Sequence, residues 1–128
     1  MLDQLPMYQR KGKEAYRPNL SRMKEFSSYL NSPEKKIKTI HIAGTNGKGS
    51  TAHMISSVLQ EAGYRVGLYT SPHLNDFRER IKINGSLIEK EYITKFVQSN
   101  REYIDANSLS FFELTVGLAF SYFFNQKV

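Results

Sequence analysis

Residues 40–51 read Ile-His-Ile-Ala-Gly-Thr-Asn-Gly-Lys-Gly-Ser-Thr, and the fold turns on how this stretch is understood. Residues 37–43 form an alternating apolar run, the pattern of a buried strand. A glycine-rich turn, residues 44–49, carries Lys48 inside it. Ala52, Ile55, Val58, Leu59 and Ala62 then recur at three- and four-residue spacing, which predicts a helix. Strand, glycine loop with a lysine, then helix is the layout that cradles phosphates. Backbone N–H groups and the helix N-terminus face the anion, and the lysine adds a mobile positive charge. The same residues read more blandly as a glycine turn with a solvated lysine; the flanking strand and helix favour the phosphate reading.

The loop departs from the G-x-x-x-x-G-K-[ST] pattern in two places. The first glycine of that pattern falls at Ile42, and the glycine present is Gly44. The hydroxyl that should follow the lysine and hold Mg²⁺ is replaced by Gly49, with Ser50 one residue later. One helical residue turns about 100° around the axis, so Ser50 need not point where the usual hydroxyl points. The loop suits a nucleotide, and a metal would draw its hydroxyl from elsewhere.

Gly44, Thr45, Asn46, Gly47, Lys48, Gly49 and Ser50 resemble the nucleotide loop of the folylpolyglutamate synthase/dihydrofolate synthase family, within the Mur ligase superfamily. Tyr69-Thr70-Ser71-Pro72-His73-Leu74, Arg78-Glu79-Arg80-Ile81 and Ser110-Phe111-Phe112-Glu113 follow in that family's order and spacing. The resemblance covers most of residues 37–128 and weakens before Glu34. It implies ATP contacts through Thr45, Asn46, Gly47 and Lys48, with Lys48 reaching the terminal phosphates. It implies a metal-binding role for Ser71, which would supply the hydroxyl that Gly49 lacks. It also implies that Ser110, Phe111, Phe112 and Glu113 line a pterin site. The family often has Thr-Tyr-Phe-Glu there, so hydroxyl and aromatic characters are kept. The implied reaction adds L-glutamate to a folate or dihydropteroate carboxyl through an acyl phosphate, with ATP and Mg²⁺.

Each of these residues has a plainer role open to it. Ser71 could simply make a Ser-Pro turn, and Glu113 could cap the helix it begins. His73 reads equally as a turn residue or as a neighbour of substrate. Arg78 and Arg80 read first as solvated loop charges, and second as partners of an anionic substrate. His41 and His53 read as structural or exposed. Arg17, Pro18 and Asn19 fall where the family has a second pterin segment, commonly Asp-Leu-Gly; the match is poor, and Asn19 reads better as a helix N-cap.

The 128 residues suffice for one small domain, and 40% hydrophobic content can build a core. No apolar run is long enough to span a bilayer, and no signal peptide is visible. There is no cysteine, which excludes disulfides and thiolate metal sites. A cytoplasmic protein without membrane partners fits. The net charge is +6, of which residues 1–36 carry +4 (eight Lys/Arg against four Asp/Glu). That favours anionic partners without choosing among them. A nucleic-acid module would interleave its aromatics with Lys/Arg on one face. Here the aromatics fall mostly on apolar helix faces, so no nucleic-acid partner is expected.

The remaining elements follow from local signals. Leu20, Met23, Phe26 and Leu30 mark one helix face, ended by Ser32-Pro33. Gly63 is placed to close the phosphate-loop helix. Residues 66–69 read as a strand parallel to residues 37–43. Asn84-Gly85 signals a hairpin, residues 89–104 one amphipathic helix, and residues 112–124 a buried helix. The expected architecture is an α/β P-loop nucleotide-binding domain with a parallel sheet core, apparently truncated, plus a small β-hairpin. Residues 1–36 form a basic segment and helix, and residues 37–128 a partial Mur-ligase-type ATP-binding domain. No strand ending in an acidic metal ligand is visible, and the resemblance places that strand, a carbamylated lysine and a glutamate-binding domain beyond residue 128. The segment alone is therefore expected to be inactive. The rivals are a Mur-type ligase on a cell-wall precursor, whose loops usually carry Thr where Gly49 stands, and a non-catalytic fragment.

Overall fold

The computed structural model describes residues 20–128. Helix α1 (Ser21–Tyr29) buries Phe26 fully, with Met23 and Leu30 partly covered beside it. Leu20 does not share this face and is exposed, while the proposed cap Asn19 lies outside the described residues. The chain reverses through Asn31 and Ser32, both at positive φ, into a 3₁₀ turn at Pro33–Lys36. Ser27 Oγ donates to Glu34 Oε1 at 2.7 Å and ties the turn to the helix.

Residues 37–43 form no helix and pair with no strand among the described residues. Helix α2 (Lys48–Glu61) follows the glycine loop. It ends as a Schellman motif: Gly63 stands at φ +87°, its N–H donates to Gln60 O at 2.9 Å, and the Tyr64 N–H donates to Leu59 O at 3.0 Å. Of the expected stripe, Ala52, Ile55 and Leu59 are partly covered, while Val58 and Ala62 are exposed. Ser56 is its buried residue, while Val58 and Met54 stand about two-thirds exposed (67% and 68%). The reason is that α2 rests mainly on β1 (Gly67–Tyr69), three residues long, and so covers a narrow stripe.

The sheet is β1, β2 (Ile81–Ile83) and β3 (Ser86–Leu87), in that order and antiparallel throughout. Gly67 faces Ile83, Tyr69 faces Ile81, and Lys82 faces Leu87. The hairpin expected at Asn84-Gly85 forms, with both residues at positive φ as a type I′ turn requires. The parallel pairing of residues 66–69 with residues 37–43 does not form. What β1 pairs with is the hairpin, on one edge: Asn84 Oδ1 accepts the Val66 N–H at 2.8 Å, and the Asn84 N–H donates to Val66 O at 2.9 Å, which leaves the other edge of β1 without a strand among the described residues. The hairpin thereby captures β1 as its third strand.

Residues 89–104 are two helices rather than one, α3 (Lys90–Ser99) and α4 (Arg101–Ala106). Asn100 divides them. Its side-chain Nδ2 donates to Phe96 O at 2.7 Å, competing with its backbone N–H for the same carbonyl. Helix α5 (Phe111–Asn125) is the centre of the core, with ten of its fifteen residues buried. Around Leu114, Leu118, Tyr122 and Phe123 gather Phe26, Ile81, Ile83, Ile88, Ile104 and Leu109. Two half-buried polar contacts fix its rotation: the Tyr122 hydroxyl donates to Glu89 at 2.7 Å, and the Tyr69 and Thr115 hydroxyls meet at 3.0 Å. Burial, with Glu89 beside it, pushes the Tyr122 phenol up to about 12. No helix among the described residues is long and apolar enough to cross a membrane.

Two glycines allow this packing. A Cβ at Gly117 would lie 2.4 Å from the Phe26 ring, and one at Gly67 would lie 2.6 Å from the Phe123 ring. Gly117→Ala should therefore destabilise the fold by about 1–3 kcal/mol, the usual cost of overpacking. Its urea midpoint should fall relative to Gly49→Ala, which meets no neighbour within 4 Å and is not at positive φ. An unchanged midpoint for Gly117→Ala would refute the close α1–α5 approach.

Candidate functional site

Three segments carry the sequence-predicted residues. The first is the loop before α2. Its residues are exposed, and Gly47 adopts φ 76°, ψ −1°, a left-handed conformation suited to glycine. Gly47 is also the N-cap of α2, and no side chain caps this helix start. The first intrahelical bond runs from the Thr51 N–H to Gly47 O at 2.9 Å. Lys48 Nζ folds back over the loop and donates to Gly44 O at 2.7 Å and Thr45 O at 3.1 Å. These are neutral acceptors on an exposed loop, which an anion of higher charge can displace. Thr45, Asn46, Gly49 and Ser50 are exposed around it.

The second segment joins β1 to β2. Ser71 is exposed just past β1, and the Ser71–Pro72 peptide is cis. The following 3₁₀ turn, Phe77–Arg80, is held by a capping box. Glu79 accepts the backbone N–H groups of Leu74 (2.8 Å), Asn75 (3.1 Å) and Asp76 (2.8 Å), and these bonds hold its carboxyl below its ordinary range. Asp76 accepts the Arg78 N–H at 2.9 Å and the Arg78 guanidinium at 2.7–3.2 Å. The Arg78 side chain holds the Asp76 carboxyl down at about 2, and Asp76 in turn raises Arg78. Arg78 is thus a structural partner rather than a solvated charge.

Arg80 departs further from expectation: it is buried, 5% exposed. Its Nε donates to His73 Nδ1 at 2.6 Å, and its guanidinium lies over the Phe111 ring, 5.1 Å from the centroid. His73 meets Phe77 edge-on, and Phe77 meets Phe111 edge-on. This closed ring joins the second segment to the third. Nothing in the sequence distinguishes Arg80 from Arg78. Strand alternation does not reveal it either, since Arg80 is out of phase with the buried Ile81 and Ile83 and belongs to the 3₁₀ turn.

The third segment opens α5. Ser110 and Glu113 form a complete capping box: Ser110 Oγ accepts the Glu113 N–H at 3.2 Å, while Glu113 Oε2 accepts the Ser110 N–H (2.8 Å) and Oγ–H (2.7 Å). Arg22 Nε lies 3.5 Å from the other carboxylate oxygen, and Arg22 also donates to Ser108 O at 3.1 Å. Glu113 is buried, Phe111 is buried, and Phe112 is 60% exposed. The capping role weighed for Glu113 is therefore observed. His41 and His53 are exposed. Among the described residues no group of three or more His, Asp or Glu side chains is placed to hold a metal ion.

No protein-family model matches the chain. A dihydrofolate synthase/folylpolyglutamate synthase of Bacillus subtilis is 45% identical over 113 residues, covering 84% of this chain and 26% of that relative. The crystal structure of a folylpolyglutamate synthase from Thermotoga maritima superposes with a TM-score of 0.83 at 40% identity, covering 94% of this chain and 31% of that one. A folylpolyglutamate synthase in complex with AMPPCP and folate superposes with a TM-score of 0.84 at 30% identity, covering 99% and 31%. The chain spans about a quarter to a third of the length of these relatives.

The Asp76–Arg78 pair predicts a pH dependence. The Asp76 carboxyl titrates near 2 in the fold against an ordinary value of 3.8, so its contribution is complete above 3.8 and is lost as pH falls through about 2. Carboxyl ¹³C shifts of Asp76 should show a midpoint near 2, and Arg78→Ala should return it toward 3.8. A wild-type midpoint near 3.8 would exclude the pair.

Proposed function

We infer, from the premise that this chain belongs to the folylpolyglutamate synthase/dihydrofolate synthase family, that it carries the phosphate-binding part of an ATP-dependent ligase. The ligase joins L-glutamate to the carboxyl of a folate or dihydropteroate. The observation that carries this reading is Lys48, folded over the carbonyls of Gly44 and Thr45 at a helix start that no side chain caps. In this reading residues 37–43 are a strand of the parallel core of the ATP-binding domain, left unpaired within the described residues.

The chemistry asks little covalent work of these residues. The pterin-linked carboxylate attacks the terminal phosphorus of ATP, and ADP leaves. The glutamate amine then attacks the acyl phosphate carbon, inorganic phosphate leaves, and the amine gives up a proton. Thr45, Asn46, Gly47, Gly49 and Ser50 surround the phosphates with backbone N–H groups at the positive end of α2. Lys48 exchanges its two carbonyl partners for phosphate oxygens and neutralises charge as phosphoryl transfer proceeds. Mg²⁺ would supply Lewis-acid neutralisation of the phosphates, and Ser71 is the residue assigned to hold it. Its exposed hydroxyl at the end of β1 fits one position of an oxygen shell. Ser110, Phe111, Phe112 and Glu113 line the pterin side. The exposed Phe112 ring offers a stacking face, and Glu113 holds the turn that presents it.

Lys48→Ala in the full-length polypeptide should weaken Mg-ATP binding by roughly 100-fold, the scale of two charge-assisted hydrogen bonds. Its circular dichroism should match wild type. Calorimetric titration giving unchanged affinity would overturn the phosphate reading. Ser71→Ala should raise the Mg²⁺ concentration needed for half-maximal ligation more than Ser50→Ala does, and the reverse ranking would reject Ser71 as the metal hydroxyl.

A further inference from the structure

The cluster around Arg80 is not used by the reaction as described above, yet it is costly to build. A guanidinium at 5% exposure gives up water, and among the described residues no carboxylate pairs with it. Its partners are neutral: the His73 ring nitrogen at 2.6 Å, the Phe111 face at 5.1 Å, and the nearby Tyr69 phenol. Arginine keeps its Nε–H at any ordinary pH, so His73 Nδ1 must present a lone pair. The imidazole proton then sits on Nε2, and the ring is fixed as one tautomer with a single remaining donor.

The two ends of this contact lie in different proposed walls of the site. His73 is two residues from Ser71, and Phe111 adjoins Phe112. The Arg80 carbonyl also accepts the Thr70 N–H at 3.0 Å, so the same residue anchors the chain just before Ser71. Phe77 closes the circuit by meeting both rings edge-on. The flat guanidinium donates through its edge and stacks through its face at the same time. A lysine ammonium has no plane with which to do both.

We propose that Arg80 is a positioning residue: through His73 and Phe111 it sets the Ser71–His73 loop against the opening turn of α5. This rests on the ligase reading above, since the walls it aligns are the phosphate-metal side and the pterin side. Arg80, being buried, acts through the side chains it holds. Its loss should reduce turnover of correctly bound reactants and spare nucleotide affinity, because misplacement by a fraction of a bond length costs rate before binding.

Two measurements test this on the full-length polypeptide. Long-range ¹H–¹⁵N spectra of the wild-type protein should show His73 with an unprotonated Nδ1 and a protonated Nε2. A protonated Nδ1 overturns the proposal, and no variant is needed to see it. In kinetics, Arg80→Lys should lower kcat about tenfold or more, with the KM for ATP within about twofold of wild type. In a His73→Ala background the same substitution should add less than about a twofold loss. Equal losses in both backgrounds, or a loss confined to the KM for ATP, would overturn the proposal. Misfolding of Arg80→Lys leaves the nitrogen spectrum to decide it. Absence of ligation by a wild-type polypeptide that joins residues 1–128 to the metal strand and glutamate-binding domain expected after them would overturn the functional reading itself, a result distinct from the state of His73.

Discussion

Phe26 lies against the backbone of α5 at Gly117, and this contact sets the depth at which every other element docks. With α1 seated there, Arg22 reaches Glu113 and the Ser108 carbonyl, so the helix that covers one side of α5 also braces its first turn. On the opposite side Gly67 brings β1 against Phe123 in the same way. The sheet is then close enough for the Tyr69 hydroxyl to meet Thr115. A helix this apolar has no preferred face of its own. The two glycine contacts and the half-buried hydroxyl pairs give it one.

Three cations near the proposed site are held in three different ways, and the difference sorts their roles. Lys48 sits on carbonyl oxygens and is exposed, so it exchanges partners cheaply. Arg78 is locked to a carboxylate within its own turn and shapes the loop. Arg80 is buried among neutral partners and joins two segments 31 positions apart in sequence, Arg80 to Phe111. Only the first arrangement leaves a positive charge available to a diffusing phosphate. Net charge alone would have treated the three alike.

What could be read in the sequence was what local chemistry dictates. The Asn84-Gly85 hairpin, the Gly63 helix stop, the turn after α1 and the buried helix near residues 112–124 all depend on residues within a few positions of one another. The glycine loop and the helix after it were equally plain, because they are contiguous, whereas residues 37–43 before them form no paired strand among the described residues. The failures were non-local. The parallel pairing of residues 37–43 with residues 66–69 is absent among the described residues, because adjacency in a sheet is not encoded by the period of either segment. The break at Asn100 turns on a side chain competing for one carbonyl. Arg80 looked like a loop charge because burial of a cation depends on rings supplied by distant segments. Glu113 was visible as a helix-cap candidate, and its capping box with Ser110 is formed.

The shallow seating of α2 has a thermodynamic consequence. Its covered stripe is narrow and Met54 and Val58 face water, so little apolar area is lost when it detaches. Opening of α2 and its glycine loop should cost much less than opening of the α1–α5 core, and their amides should exchange with solvent as a separate cooperative unit. A ligand that gathers the loop's N–H groups would tighten this unit by mass action alone. In the proposed reading the glycine loop thus sits on a narrowly seated helix, and part of the free energy of binding an anion would go into ordering that helix.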